Sequence, residues 1–209
     1  MIEILIFAIA FFFCMNMGGP SFAGSFSTAV GSKAINRKQA AVFFIIFGLL
    51  GALLCGGEVS KTLSKGVVPA QLLDVKAVFI VLTCASVGLL VANLIHIPQS
   101  NAISTLAALT GLGAALSAVN WNKMLYFVIC WFFSTLASYF LVYGAVRYVY
   151  PPRKANFWVY EKIINHQQRL KMLVIITGCY KAFAQGSNNV ANAVGPLSAT
   201  GLIPISLAL

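Results

Sequence analysis

Residues 185–196 read Gln185-Gly186-Ser187-Asn188-Asn189-Val190-Ala191-Asn192-Ala193-Val194-Gly195-Pro196. Small and amide residues here interrupt sequence that is apolar on both sides. Backbone groups left unpaired in hydrocarbon are costly, so irregular chain survives at membrane depth only where it lines a polar cavity or ligand site. The stretch is expected to be a broken helix at such a site.

Composition sets the surroundings of this stretch. The chain of 209 residues is 60% hydrophobic and 9% charged, where a soluble domain carries about a quarter charged residues. Its apolar residues fall in runs of ~17–25, long enough to cross a bilayer core. The chain reads as an all-α integral membrane protein. The net charge of +10 is explained by topology rather than by nucleic acid, because Lys and Arg gather between the apolar runs. Cys14, Cys55, Cys84, Cys130 and Cys179 each stand alone in apolar sequence. No metal-ligand spacing, phosphate loop or catalytic triad is visible, so neither metal, cofactor nor enzyme is expected. The start, Met1-Ile2-Glu3-Ile4, lacks a basic leader, and the first apolar segment is expected to stay in the membrane.

Segment one runs from about Ile4 to Met17 and is expected to break at Gly18-Gly19-Pro20, before a second half helix rich in small and hydroxyl residues. Segment two covers about Ala40–Gly56, segment three Ala77–Ile95, segment four Ala102–Val119 and segment five Met124–Val146. Segment six begins near Met172 and runs into the opening stretch. Lys33, Arg37 and Lys38 make one basic loop, and residues 147–171 make the largest one. Both belong on the cytoplasmic side by the positive-inside rule. The N-terminus and the Glu58–Asp74 loop then lie outside. Segment six starts from the cytoplasm whereas segment one starts from outside, so a second repeat would be inverted. Inverted repeats with broken helices are a frequent transporter design, with the site at the repeat interface. The expected organisation is a first transmembrane repeat of about five spans over 1–146, with segments two to five supplying four crossings, a basic cytoplasmic loop over 147–171 and the start of a second, inverted repeat over 172–209.

The stretch Ala182-Phe183-Ala184-Gln185-Gly186-Ser187-Asn188-Asn189-Val190-Ala191-Asn192-Ala193-Val194-Gly195-Pro196-Leu197 resembles the second-repeat signature of the inorganic phosphate transporter family, A-F-x-H-G-x-N-D-x-A-N-x-x-G-P. Ser27-Thr28-Ala29-Val30-Gly31-Ser32-Lys33-Ala34 resembles the end of its first-repeat signature. Gly56-Gly57-Glu58-Val59-Ser60-Lys61-Thr62 and His96-Ile97-Pro98-Gln99-Ser100 resemble two further family segments, so the likeness covers essentially the whole chain. It implies an inverted-repeat fold with broken and re-entrant helices and secondary active symport of an inorganic oxyanion across the cell membrane of a bacterium, phosphate by the family resemblance, with a proton-coupled sulfate permease as the alternative.

The departures from the family pattern bear on substrate and driving ion. The first-repeat Asn-Asp pair is Pro20-Ser21 here, and the Asn that follows is Gly24. In the second repeat the Asp is Asn189 and the His is Gln185. Family symporters are thought to use these acids for phosphate and coupling cations. Their absence leaves neutral amides, hydroxyls and backbone N–H groups, which suit a full dianion and resemble the sulfate-permease branch. A proton is then the expected co-transported ion, and sodium is not.

The anion-binding set expected on this basis is Ser187, Asn188, Asn189 and Asn192 from the opening stretch, Ser21, Ser25, Ser27 and Thr28 from the first repeat, Ser100 from a re-entrant turn, and Lys181. Half-helix N-termini are expected to point at the anion. Each serine or threonine taken singly could instead bond its own helix, and Lys181 could snorkel or pair structurally. A lysine within an apolar segment is nonetheless a functional candidate by default. Glu58 is the coupling candidate, since the chain has only four acids, Glu3, Glu58, Asp74 and Glu161. The competing class is a membrane subunit that does not itself transport, or a truncated fragment. Leu209 falls just past the second motif, where a complete second repeat needs four or more further spans, and two copies could complement each other as a homodimer.

Overall fold

Capping residues recur at the helix starts, and apolar side chains fill the lengths between. The structure, a computed structural model, describes residues 2–64, 67–97, 99–149, 153–164 and 166–200. They form α1 (Ile2–Gly31), α2 (Arg37–Ser64), α3 (Val75–Leu94), α4 (Asn101–Ala115), α5 (Trp121–Val149), the one-turn α6 (Phe157–Val159) and α7 (Gln167–Ala199). A 3-10 turn at Ala70–Leu72 precedes α3, and a π-helical turn at Tyr160–Ile164 follows α6. Among the described residues there is no strand. Four helices contain stretches long and apolar enough to cross a membrane: Ile4–Gly31, Arg37–Ser60, Val75–Leu94 and Trp121–Val149.

Asn36 and Gln39 make a reciprocal capping box on α2, with Gln39 N–H donating to Asn36 Oδ1 at 2.8 Å and Asn36 N–H to Gln39 Oε1 at 3.0 Å. Asp74 caps α3 by accepting from Ala77 N–H at 2.8 Å, and Asn120 caps α5 by accepting from Lys123 N–H at 3.1 Å. Helices α1, α3 and α4 end alike. Lys33, His96 and Ser117 take φ of 56°, 58° and 51°, and the next residue's N–H reaches back to Ala29, Ala92 and Gly113 respectively. This is the left-handed cap that glycine usually fills.

Two expectations about helix breaks are corrected. Helix α1 runs on through Gly18-Gly19-Pro20. Proline has no N–H to give, so the carbonyl four residues back is left open. That carbonyl belongs to Asn16, and Asn93 Nδ2 at the end of α3 donates to it at 3.2 Å. Helix α7 likewise runs through the whole opening stretch. Its Gly186 is a contact residue rather than a breaker: a Cβ there would run into the Gly48 carbonyl, and a Cβ on Gly51 into the Phe183 carbonyl. Small residues permit this backbone approach, as in membrane helix pairs generally. Helices α2 and α7 run the same way, with Phe47 beside Ile175 and Cys179 and Glu58 beside Asn188, in the most extensive helix pairing among the described residues. Helix α1 runs opposite to α7, with Ser21 beside Asn189 and Phe26 beside Gly178.

Further differences concern lengths. Helix α2 continues past Gly56 to Ser64, which puts Glu58 inside a helix rather than in a loop. Helix α4 has 15 residues, about 22 Å at 1.5 Å per residue. The basic loop shrinks at both ends, since Arg147 belongs to α5 while Arg169 and Lys171 belong to α7. Residues 201–209, including the start of anything beyond the second motif, lie outside the described residues.

The core joins Ile6, Ala10, Phe13 and Met17 of α1 to Val78, Val81, Leu82, Ala85 and Leu89 of α3, with Leu106 and Leu109 of α4 and Ala193 and Leu197 of α7. The α1 set recurs every three or four residues, so one helical stripe is buried. Helix α5 rests on this core only through Met124, Phe127 and Trp131, and none of its residues is buried.

Candidate functional site

In a continuous α7, positions 181, 185, 188, 189 and 192 fall on one face, because i, i+4, i+7, i+8 and i+11 align on a helix. The opening stretch is thus a polar stripe on a helix, not a helix break. Facing it are the middle of α1 and the tip of the α3–α4 hairpin. Asn189 joins all three. Its Nδ2 donates to Ser21 Oγ at 2.9 Å, and its Oδ1 accepts from Asn101 Nδ2 at 2.9 Å. Ser21 Oγ in turn lies 3.4 Å from Gln185 Oε1 and donates to it.

Beside these bonds lies a cleft of about 250 Å³ lined by Pro20, Ser21, Gln99, Ser100, Asn101, Gln185 and Asn188. Every side chain in that lining except proline carries a neutral hydroxyl or amide. The cleft sits at the N-terminus of α4, where Ser100 is the N-cap and accepts from Ile103 N–H at 3.4 Å. Gln99 Nε2 donates to Ser104 Oγ at 2.7 Å, and that hydroxyl donates to the Ser100 carbonyl at 3.1 Å. Unpaired N–H groups and the macrodipole make a helix N-terminus favourable for an anion. Only α4 presents one here, which corrects the expectation of half helices in α1 and α7.

The expected residues separate into groups. Ser21, Ser100 and Asn188 line the cleft, and Asn189 braces it. Ser25 and Ser187 are buried but bond their own helices, at the Ser21 carbonyl (2.8 Å) and the Ala184 carbonyl (3.0 Å). Ser27 and Thr28 are exposed on another face of α1, and Ser27 lines a separate cleft with Phe22, Val30 and Arg37. Asn192 is fully buried, and neither atom of its amide has a partner among the described residues. Lys181 is exposed, one turn from Gln185, with its ammonium against Gly24 of α1. Glu58 is not remote: it shares a cleft of about 390 Å³ with Asn188, Ala102, Leu106, Phe127 and Trp131. His96 is exposed and serves as the left-handed cap of α3.

Gln185 and Gln99 are cleft residues that the sequence reading did not select as binding groups. Gln185 was legible in one respect, its place four residues before Asn189. Gln99 was not, because only the hairpin brings it to α1.

A bundle of apolar helices around a neutral polar cleft at a helix N-terminus defines a helical membrane protein with a solute-sized site. Comparison with known proteins then fixes the group: the model of the Phosphate transporter family matches residues 17–206, and the chain belongs to that family. The sulfate permease CysP of Bacillus subtilis is 35% identical over 204 residues, covering 97% of this chain and 56% of that protein. A solved sodium-dependent phosphate transporter superposes on 99% of this chain and 72% of its own, with a TM-score of 0.78 at 24% identity, a likeness of fold. The chain thus spans little more than half the length of the sulfate permease.

Proposed function

We propose that the chain carries the substrate site of a secondary transporter that moves an inorganic oxyanion across the membrane, sulfate before phosphate. One observation carries the reading: Ser21 and Asn189, which stand where the family has its acids, bond each other directly at 2.9 Å. Two carboxylates in those places would repel each other unless a cation or a shared proton lay between them. The neutral pair needs neither, and no carboxylate lines the cleft to repel a dianion. Neutral N–H and O–H donors at the α4 N-terminus then supply the attraction. The sulfate permease named above shares 35% identity over nearly the whole chain, which supports the order of substrates. Asn192, buried with both amide atoms unpartnered among the described residues, is a further donor held for ligand or for a second conformation.

Transport is proton-coupled symport, with Glu58 as the coupling candidate. It shares a cleft with Asn188. Helices α3 and α4 form a re-entrant hairpin. Their tip meets α1 at Asn16 and Ser21, halfway along a 30-residue helix, and α4 at about 22 Å is shorter than a ~30 Å hydrocarbon core. The hairpin adds no net crossing, so α2 and α5 alone carry the chain between the two basic segments. Both segments face the cytoplasm.

Radiolabelled sulfate and phosphate uptake by the intact protein in proteoliposomes tests this. Faster sulfate than phosphate uptake, stimulated by an inward proton gradient, is expected. Equal sulfate rates at pH 5.5 and pH 8 without a membrane potential would sink proton coupling, and uptake of neither anion would sink the reading.

A further inference from the structure

Lys181 lies outside the cleft lining, and its side chain runs across α1 at Gly24. A Cβ built on Gly24 would stand 3.5 Å from Lys181 Nζ and 3.8 Å from its Cε. Glycine weakens a helix interior relative to alanine, so its use there calls for a reason. Gly186 and Gly51 have one in the backbone pressed against them, and Gly24 does not: among the described residues its only close neighbour is the Lys181 side chain. Gly18, Gly19 and Gly31 of the same helix have no neighbour within 4 Å. Gly24 is one turn from Ser21 on α1, and Lys181 is one turn from Gln185 on α7. Ser21 and Gln185 bond each other in the cleft wall. The ammonium therefore stands about one turn, ~5.4 Å, along the α1–α7 seam from that contact.

We propose that Gly24 is a positioning residue for Lys181. Its missing side chain leaves the lane in which the ammonium lies, and this lysine is the resident cation that draws a doubly charged oxyanion into the cleft. The inference rests on the oxyanion reading above and adds to it the pairing of one residue of α1 with one of α7. A larger residue at 24 would occupy the lane and turn the ammonium away without removing its charge. Alanine would touch Nζ at ordinary contact distance and displace it less.

The test is the KM for uptake of the transported oxyanion, sulfate or phosphate, by the intact protein in proteoliposomes. Lys181→Met is expected to raise KM about tenfold, the lower end of what a focusing charge does for local substrate concentration. Gly24→Leu is expected to raise it comparably, and Gly24→Ala by less. In the double variant Gly24→Leu/Lys181→Met, KM should stay within about twofold of Lys181→Met alone, because both changes remove one interaction. Lys181→Cys treated with aminoethyl methanethiosulfonate rebuilds a cationic side chain. This should restore KM when residue 24 is glycine and fail to restore it in Gly24→Leu, while a neutral methyl reagent restores neither. Three results overturn the inference: unmoved KM in Gly24→Leu and Gly24→Ala, a double variant whose losses multiply, or equal rescue by the neutral reagent. If Gly24→Leu does not fold, Gly24→Ala and the reagent rescue at Gly24 decide the matter. A wild-type protein that takes up neither anion removes the oxyanion reading and this inference together. Wild-type uptake with unresponsive variants removes this inference alone.

Discussion

Asn189 uses both ends of its amide, donating to Ser21 and accepting from Asn101 at 2.9 Å each. Aspartate in its place would still accept from Asn101, so Asn189→Asp should fold. It would also put a carboxylate beside the cleft, and sulfate affinity should drop at least about tenfold by like-charge repulsion in a partly desolvated site. Titration calorimetry on the purified variant reads this. Asn189→Leu acts through the fold instead. It leaves the Asn101 amide short of an acceptor, at a cost of about 1–3 kcal/mol in unfolding free energy. Asn192 predicts the reverse pattern. Its amide is fully enclosed and unpartnered among the described residues, so Asn192→Leu should leave stability unchanged or raised, since a buried polar group without partners gains nothing from being polar. Uptake should nevertheless fall. A variant that is less stable and transports normally would mean that the amide serves the fold.

The helix is the scale at which sequence and structure part most clearly. Gly18-Gly19-Pro20 and Gly186 through Asn192 carry weak helix formers, and local propensity alone marks them as breaks. Tertiary contacts override it. Asn93 takes up the carbonyl that Pro20 leaves open, and Gly186 and Gly51 let α2 and α7 touch backbones. None of these partners is near in sequence, and 77 positions separate Asn16 from Asn93, so no local pattern announces them. Asn93→Leu should therefore cost about 1–3 kcal/mol, whereas Asn16→Ala should cost less, because the Asn16 side chain only bonds its own helix at Phe12. Gly51→Ala should destabilise by at least about 1–3 kcal/mol through overpacking. Gly18→Ala, with open space around it, should be neutral or stabilising by up to ~1 kcal/mol. Thermal unfolding in detergent separates the two pairs, and equal effects within either pair would contradict the contacts described.

Across the whole molecule, the membrane class, the helix-rich fold and the family were legible from long apolar runs and from two motifs. Ser21, Ser100, Asn188 and Asn189, all expected from motif-bearing segments, are brought together at one cleft. Ser27 and Thr28 were drawn in by the same clustering, yet α1 is continuous and turns them to another face. Gln99 and the nearness of Glu58 to Asn188 were not legible, since both depend on how α3 and α4 fold back and on two extra turns of α2. A hairpin that re-enters as proposed adds no net crossing, so the orientation expected from the basic segments is unchanged by it. Single cysteines at Lys33 and Lys154 should react with an impermeant maleimide from one side of the membrane, and one at Asp74 from the other. Labelling of the first two from opposite sides would refute the re-entrant hairpin. A neutral Ser21–Asn189 pair in place of two carboxylates should leave the cleft independent of sodium. The most direct test is initial sulfate uptake in proteoliposomes with all sodium replaced by N-methylglucamine. The rate should be unchanged; a rate that collapses without sodium and returns with it would mean that the neutral pair does not free the site from a cation.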